Sequence, residues 1–237
     1  MRIDRFLANM GCGSRTEVKQ LIKSGKVKVN GKTVIDPGHQ VQPEDDRIDL
    51  KGDRIVYREF LYLMMNKPAG VISATEDSKE QTVLDLIESK YHNKGLFPVG
   101  RLDKDTEGLL ILTNHGELGH QLLSPKKHVY KKYLARIDGK VTGQDQVAFK
   151  SGIELDDGYL TLPGDLEIIS SGPVSEVIVK IREGKFHQIK RMFQALEKRV
   201  VYLKRISMGG LILDPGLNPG EYRELTDGEV KQLSENQ

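Results

Sequence analysis

The stretch GRLDKDTEGLLILTN, residues 100–114, constrains the fold more than any other part of the chain. Its unbroken apolar run, Leu109-Leu110-Ile111-Leu112, reads as a buried strand. Four charged residues, Arg101, Asp103, Lys104 and Asp105, crowd into the five positions from 101 to 105, just ahead of that strand. Charged loops are commonly just solvated, but this one leads directly into core. At 237 residues the chain can bury one good core, or one core and a small accessory module.

The chain is 38% hydrophobic and 30% charged, with no apolar run long enough to span a bilayer and no apolar N-terminal segment of the signal-peptide kind. A soluble, cytoplasmic protein is expected. The single cysteine, Cys12, excludes an internal disulfide framework and a multi-cysteine zinc site. No phosphate-binding G-x-x-x-x-G-K-[ST] loop, H-E-x-x-H or glycine-rich dinucleotide fingerprint is present, so NTPase, zinc-protease and dinucleotide-enzyme readings lack support. No cofactor and no metal are expected.

The net charge of +2 hides strong segregation. Residues 1–34 carry eight Lys/Arg against Asp4 and Glu17, and residues 182–205 carry eight against Glu183 and Glu197. KKHVYKKYLAR (126–136) has five basic residues and no acid, whereas 139–176 has seven acids against Lys140 and Lys150. Any one run reads as a solvated face. Three separated runs fit a polyanion-binding surface, because clustered cations neutralise phosphates and release counterions.

The chain divides near residues 49–59. Ahead of that, Ile3, Phe6, Leu7 and Met10 recur at helical spacing, and Gly11 and Gly13 break the helix. Ser14-Arg15-Thr16-Glu17 is a capping box for a second helix that stops at Gly25. KVKVNGKTV reads as a hairpin turning at Asn30-Gly31, and residues 41–48 offer another short strand. This order of elements, and the residues RIDRFLANMGCGSRTEVKQLIKSGKVKVNGKTV themselves, resemble the S4 (αL-type) RNA-binding domain. The resemblance implies that residues 1–48 bind structured RNA. It makes Arg5, Arg15, Lys19, Lys23, Lys26 and Lys28 candidate phosphate contacts; the plain alternative is a small α/β module with a basic surface.

After a short charged linker, 49–59, residues 60–237 are rich in strand patterns. Strands are expected at 60–66, 109–113, 130–137 and 174–181, and helices at 83–88, 118–123, 187–196 and after the Thr226-Asp227-Gly228-Glu229 cap. Strands and helices interleaved without a βαβ repeat indicate an α+β class with a mainly antiparallel, mixed sheet.

Four segments of this part resemble the pseudouridine synthases. GRLDKDTEGLLILTN resembles the family signature, whose catalytic aspartate stands in R-L-D, here Asp103. YKKYLARIDG resembles the segment whose tyrosine packs against the target base, here Tyr133. REGKFHQIKRMFQAL resembles the motif whose basic residue pairs with the aspartate, here Lys190, with Arg101 as a second cation. NKPAGVISA resembles the first motif, with Lys67 and Pro68 as landmarks. The resemblance implies a catalytic domain over 60–237 whose RNA contacts include Lys131, Lys132 and Arg191. GKFHQIKRMF is closer to the enzymes of the small ribosomal subunit than to the large-subunit branch. The implied partner is therefore 16S rRNA or a small-subunit assembly intermediate; no membrane partner and a monomeric state are expected, and the sequence points to no particular protein partner.

That chemistry needs no redox step and no outside energy. The N1–C1′ glycosidic bond breaks, the uracil turns, and C5 is joined to C1′. A carboxylate beside the ribose can stabilise positive charge at C1′, attack C1′, or remove the 2′ proton to give a glycal. Asp105, two residues on, has a rival claim as a second carboxylate of an acid–base pair, against a structural role holding a loop or Arg101. Among the plainer readings, Asp103 caps Thr106, Tyr133 is an ordinary strand residue, and Lys190 and Arg191 belong to a solvated helix face. His187 is then a hydrogen-bonding residue at a helix start, and Cys12 a packing residue. A large-subunit enzyme, a non-catalytic S4-domain assembly protein and a glycosidase-like hydrolase using both aspartates are the competing functions.

Overall fold

The computed structural model describes residues 1–57, 60–92, 94–124, 127 and 129–235. It divides into two compact units: Met1–Phe60 with Ser89–Lys94, and Leu61–Glu88 with Gly95–Gln237.

In the first unit, α1 (Ile3–Asn9) and α2 (Arg15–Lys23) pack beside a four-stranded antiparallel sheet of β1 (Val27–Val29), β2 (Lys32–Val34), β3 (Ile48–Leu50) and β4 (Asp53–Ile55), in the order β2-β1-β3-β4. The expected cap forms: the Ser14 side chain accepts the Glu17 N–H, and the Glu17 carboxylate accepts the Ser14 N–H. The β1–β2 turn places Asn30 at φ 50° and Gly31 at φ 80°, the left-handed pair that a two-residue hairpin needs. Ile3, Phe6, Leu7, Val18, Ile22, Val27 and Ile48 fill one core, against which Cys12 is partly packed.

Two expectations differ here. The strand placed at 41–48 starts at Ile48, and residues 49–55, read as linker, hold the rest of β3, a turn at 51–52 and all of β4. Charged residues such as Asp49, Asp53 and Arg54 obscured these strands, because a short strand takes its stability from the ladder beside it. Arg58 and Glu59 of the expected linker lie outside the described residues. A short helix, α3 (Ser89–His92), also joins this unit, and Lys94 after it donates from Nζ to Ala8 O at 2.9 Å and Asn9 O at 2.5 Å. An ammonium there meets the carbonyl end of α1.

In the second unit, nine strands among the described residues form one sheet: β5 (Tyr62–Lys67), β6 (Phe97–Pro98), β7 (Glu107–Thr113), β8 (Lys131–Asp138), β9 (Asp165–Ser170), β10 (Val174–Ile181), β11 (Arg199–Met208), β12 (Leu211–Ile212) and β13 (Tyr222–Glu224). The path is β13-β5-β7-β11-β8-β10-β9, with β6 on β7 and β12 on β11; every pairing is antiparallel except β7 with β11. The mixed, mainly antiparallel α+β class is thus observed. β7 holds the apolar run of the signature stretch, and its residues from Gly108 to Thr113 are all buried. Leu109 and Ile111 join a core with Met64, Leu118, Leu122 and Met208. Side chains alternate along a strand, so Leu110 and Leu112, also fully buried, face the other side; a strand covered on both faces shows no alternation.

The helices of this unit include α4 (Gly116–Leu123), α5 (Gly143–Ser151), α6 (Gln188–Ala195) and α7 (Asp227–Glu235), with a short 3-10 turn at Val83–Leu86 where a longer helix was expected. Phe149 of α5 packs on Phe193 of α6, ring centroids 5.2 Å apart. No described helix is long and apolar enough to cross a membrane.

Candidate active site

Asp103 lies in the loop between β6 and β7, and that loop is fastened from three sides. Gly108, at φ 102°, lets β7 run against β11: a Cβ there would sit 2.2 Å from Arg205 O. Ser73 clasps Leu102, its hydroxyl donating to Leu102 O at 2.9 Å and accepting the Leu102 N–H at 3.0 Å. The ammonium of Lys67, at the end of β5 and fully buried, donates to Pro68 O (2.9 Å), Asp103 O (3.1 Å), Thr106 O (2.9 Å) and, at a longer 3.4 Å, Lys104 O. Burial draws Lys67 down from 10.5 to about 8, against the raising effect of Asp105 and Asp103. The Thr106 N–H donates to the Asp103 backbone carbonyl at 3.0 Å, so a backbone turn closes this loop and the Asp103 carboxylate is not its cap.

That carboxylate meets α6. Lys190 Nζ stands 2.9 Å from Asp103 Oδ2 and 2.6 Å from Asp105 Oδ1, bridging the two. Burial alone would lower Lys190, but its bonds to Asp105 and Asp103 outweigh that and hold it above its ordinary value. Burial pushes the Asp105 carboxyl up, and the Lys190 bond and charge overcome that to leave it below the usual range. His187 Nε2 lies 3.7 Å from Asp103 Oδ1. Asp103, His187 and Lys190 line one cleft of about 80 Å³ with Tyr133, Thr106 and Arg101. Tyr133 comes from β8, where it pairs in register with Val179 of β10 and Arg205 of β11.

The structure therefore brings Asp103, Lys190, Tyr133 and Arg101 to one cleft, but Arg101 is exposed and forms no ion pair with Asp103 among the described residues. Asp105 holds Lys190, where a loop or Arg101 was expected.

Three expected RNA contacts are placed otherwise. Lys131 is buried, donates to Val129 O at 3.1 Å, and is drawn down to about 8 by burial and the Arg205 charge. Lys132 is exposed, but strand alternation points it away from the face that carries Tyr133. Arg191 is tied to Asp156 and Asp157, 2.7 Å from the latter. Lys126, in the basic run read there, lies outside the described residues. In the first unit Arg5, Arg15, Lys19, Lys23, Lys26 and Lys28 are all exposed and form no ion pair among the described residues.

His187 does not cap α6 with its side chain: it occupies the position before the helix at φ 50°, ψ 30°, and its ring stacks on Phe186. Sequence reading passed over Phe186 and named Thr106 only as a residue that Asp103 would cap. A phenylalanine inside the charged run REGKFHQIKR was the available signal for the first; Thr106 gave none. Thr106 is buried, its Oγ1 has no hydrogen-bond partner, and it lines the cleft. Among the described residues no group of three or more His, Cys, Asp or Glu could hold a metal ion.

Comparison with known proteins gives the family. The family described as RNA pseudouridylate synthase matches residues 61–195, and the S4 domain matches residues 1–47. The chain is 50% identical over 238 residues to an uncharacterized RNA pseudouridine synthase, YtzG, of Bacillus subtilis, covering 100% of both chains. It is 40% identical to the ribosomal small subunit pseudouridine synthase A of Vibrio cholerae, over 98% of this chain and 99% of that one. It is 38% identical to the ribosomal large subunit pseudouridine synthase B of Bacillus subtilis, over 98% and 95%. A solved structure of a pseudouridylate synthase superposes with a TM-score of 0.70 at 34% identity, over 98% of this chain and 99% of the other. With the family model matched over residues 61–195 and relatives matched end to end, this chain belongs to the RNA pseudouridylate synthase family and carries an S4 domain at its N-terminus.

Proposed function

We propose that this protein converts one uridine of 16S rRNA to pseudouridine, with Asp103 as the group that acts at the ribose. The observation that carries the reading is the Asp103–Lys190 pair, 2.9 Å apart, in a cleft shared with Tyr133. A charge-assisted bond fixes one carboxylate oxygen and so the direction of the other. Lys190 is itself held by Asp105, which makes Asp105 a positioning residue. The target uridine leaves its stack and enters the cleft, where Tyr133 offers a ring against the uracil. Asp103 then acts at C1′ or at the 2′ proton; N1–C1′ breaks, the uracil turns, C5 bonds to C1′, the C5 proton departs and N1 gains one. The sum is an isomerisation.

The exposed cations of the first unit supply affinity for folded RNA, and the substrate is 16S rRNA or an assembling small subunit, bound by a cytoplasmic monomer. Identities of 40% and 38% to the small- and large-subunit relatives do not separate the two branches. GKFHQIKRMF favours the small subunit. Pseudouridine mapping of both rRNAs from a strain lacking the gene, and of transcripts treated with the purified protein, tests this. Loss and restoration of one 16S position is the expected result. A changed position in 23S rRNA would transfer the assignment to the large subunit, and unchanged maps with inactive protein would refute the enzymatic reading.

A further inference from the structure

Phe186 is the most exposed large apolar side chain among the described residues, at 74%. It stands between β10 and α6, and one face of its ring lies on His187, with centroids 3.8 Å apart and planes within 18°. His187 reaches the other way, to 3.7 Å from Asp103 Oδ1. The ring pair thus runs from solvent to the cleft wall.

The loop on either side of the pair is fastened. Gln188 accepts the Lys185 N–H at 2.9 Å and donates to Glu183 at 2.7 Å; Glu183 accepts the Tyr159 hydroxyl at 2.8 Å, and Lys185 Nζ lies 4.4 Å over the Tyr159 ring. A loop so fastened could turn a phenylalanine inward, yet this one presents it to water at a cost in hydration. Lys185 stands beside it in sequence and Arg101 lies on the cleft that His187 lines, while Lys190 there is paired with Asp103 and Asp105. An exposed apolar ring with Lys185 and Arg101 nearby suits a nucleic-acid base flanked by its phosphates better than an apolar protein surface. Withdrawal of a uridine into the cleft also leaves a gap in the RNA stack that an aromatic side chain can fill.

We propose that Phe186, backed by His187, is the base-stacking wedge of this enzyme: it stacks on the nucleobase adjacent to the target uridine and occupies the place that uridine vacates. The proposal rests on the assignment of the Asp103 cleft as the site of isomerisation. It adds a residue that contacts the neighbouring nucleotide and not the reacting one.

The test is a cycle between protein and RNA variants, on the transcript and position that the wild-type protein modifies. Phe186→Ala should lower the single-turnover rate per unit RNA about 10- to 100-fold, the range for one aromatic–base stack. Phe186→Trp should stay within about 3-fold of wild type, since any ring can stack. When the nucleotide on one side of the target is made abasic, the stacking partner is gone, and wild type and Phe186→Ala should then differ by no more than about 2-fold. Full loss in Phe186→Ala on both the 5′ and 3′ abasic RNAs, failure of Phe186→Trp to rescue, or near wild-type turnover by Phe186→Ala would each overturn the wedge. A wild-type protein that modifies no transcript refutes the underlying assignment instead, so the two failures are distinct.

Discussion

Lys67→Met tests whether a buried ammonium sets the position of Asp103. Methionine keeps the unbranched stem and removes the charge. In the folded protein Lys67 is brought from 10.5 to about 8, so keeping it protonated at pH 7 costs about 3 kcal/mol, which the substitution relieves. Against that, the carbonyls of Pro68, Asp103 and Thr106, now bonded at 2.9–3.1 Å, lose their donor, at about 1–2 kcal/mol each. The balance is a destabilisation of about 0–3 kcal/mol at pH 7 in urea unfolding. Its pH dependence has a definite sign. The folded state binds the Lys67 proton more weakly than the unfolded state, so wild-type stability gains as pH rises from about 8 to about 10.5. The variant lacks that gain, and the gap between the two should widen by about 2–3 kcal/mol over this window. Lys131, also drawn down to about 8, is present in both proteins and cancels. Two of the orphaned carbonyls belong to the loop that carries Asp103, and a displacement of about 1 Å at a reacting group lowers turnover about 100-fold. Single-turnover tritium release from 5-tritiated uridine RNA should show that loss, with RNA affinity within about 3-fold in filter binding. A stability gap that stays flat with pH, or turnover near wild type, would refute the anchoring role.

Asp103→Asn should abolish turnover, by about 10⁴-fold or more, with RNA affinity little changed; Asp105→Asn, which weakens only the hold on Lys190, should cost far less, and the reverse order in the same tritium assay would mean that the wrong carboxylate was named. Replacing Lys19, Lys23 and Lys26 together by Ala should weaken RNA binding at every salt concentration and flatten the slope of log affinity against log salt by about 2–3, whereas an unchanged slope would remove those side chains from the RNA surface.

What the sequence determined by itself was local or carried by contiguous motifs. The Ser14–Glu17 box, the Asn30-Gly31 turn and the Thr226–Glu229 cap form within a few residues, and each is observed as read. The apolar run of β7 announced a buried strand because burial on both faces leaves no polar position in it. The motifs marked Asp103, Tyr133 and Lys190, which come from a loop, a strand and a helix and meet at one cleft. What only the tertiary structure decided depends on partners distant in the chain. Residues 49–50 and 53–55 are strand because β3 lies between β1 and β4, and Ser89–Lys94 joins the first unit across more than eighty positions of sequence. Lys131 and Lys132 are alike in sequence, but the pleat buries one among Val129 and Arg205 and sends the other to the far face. Arg191, expected at a phosphate, is paired with Asp156 and Asp157, which the sequence did not show. Charge is written in the sequence; whether a charge meets solvent, a carbonyl or a carboxylate is settled only when the chain has packed.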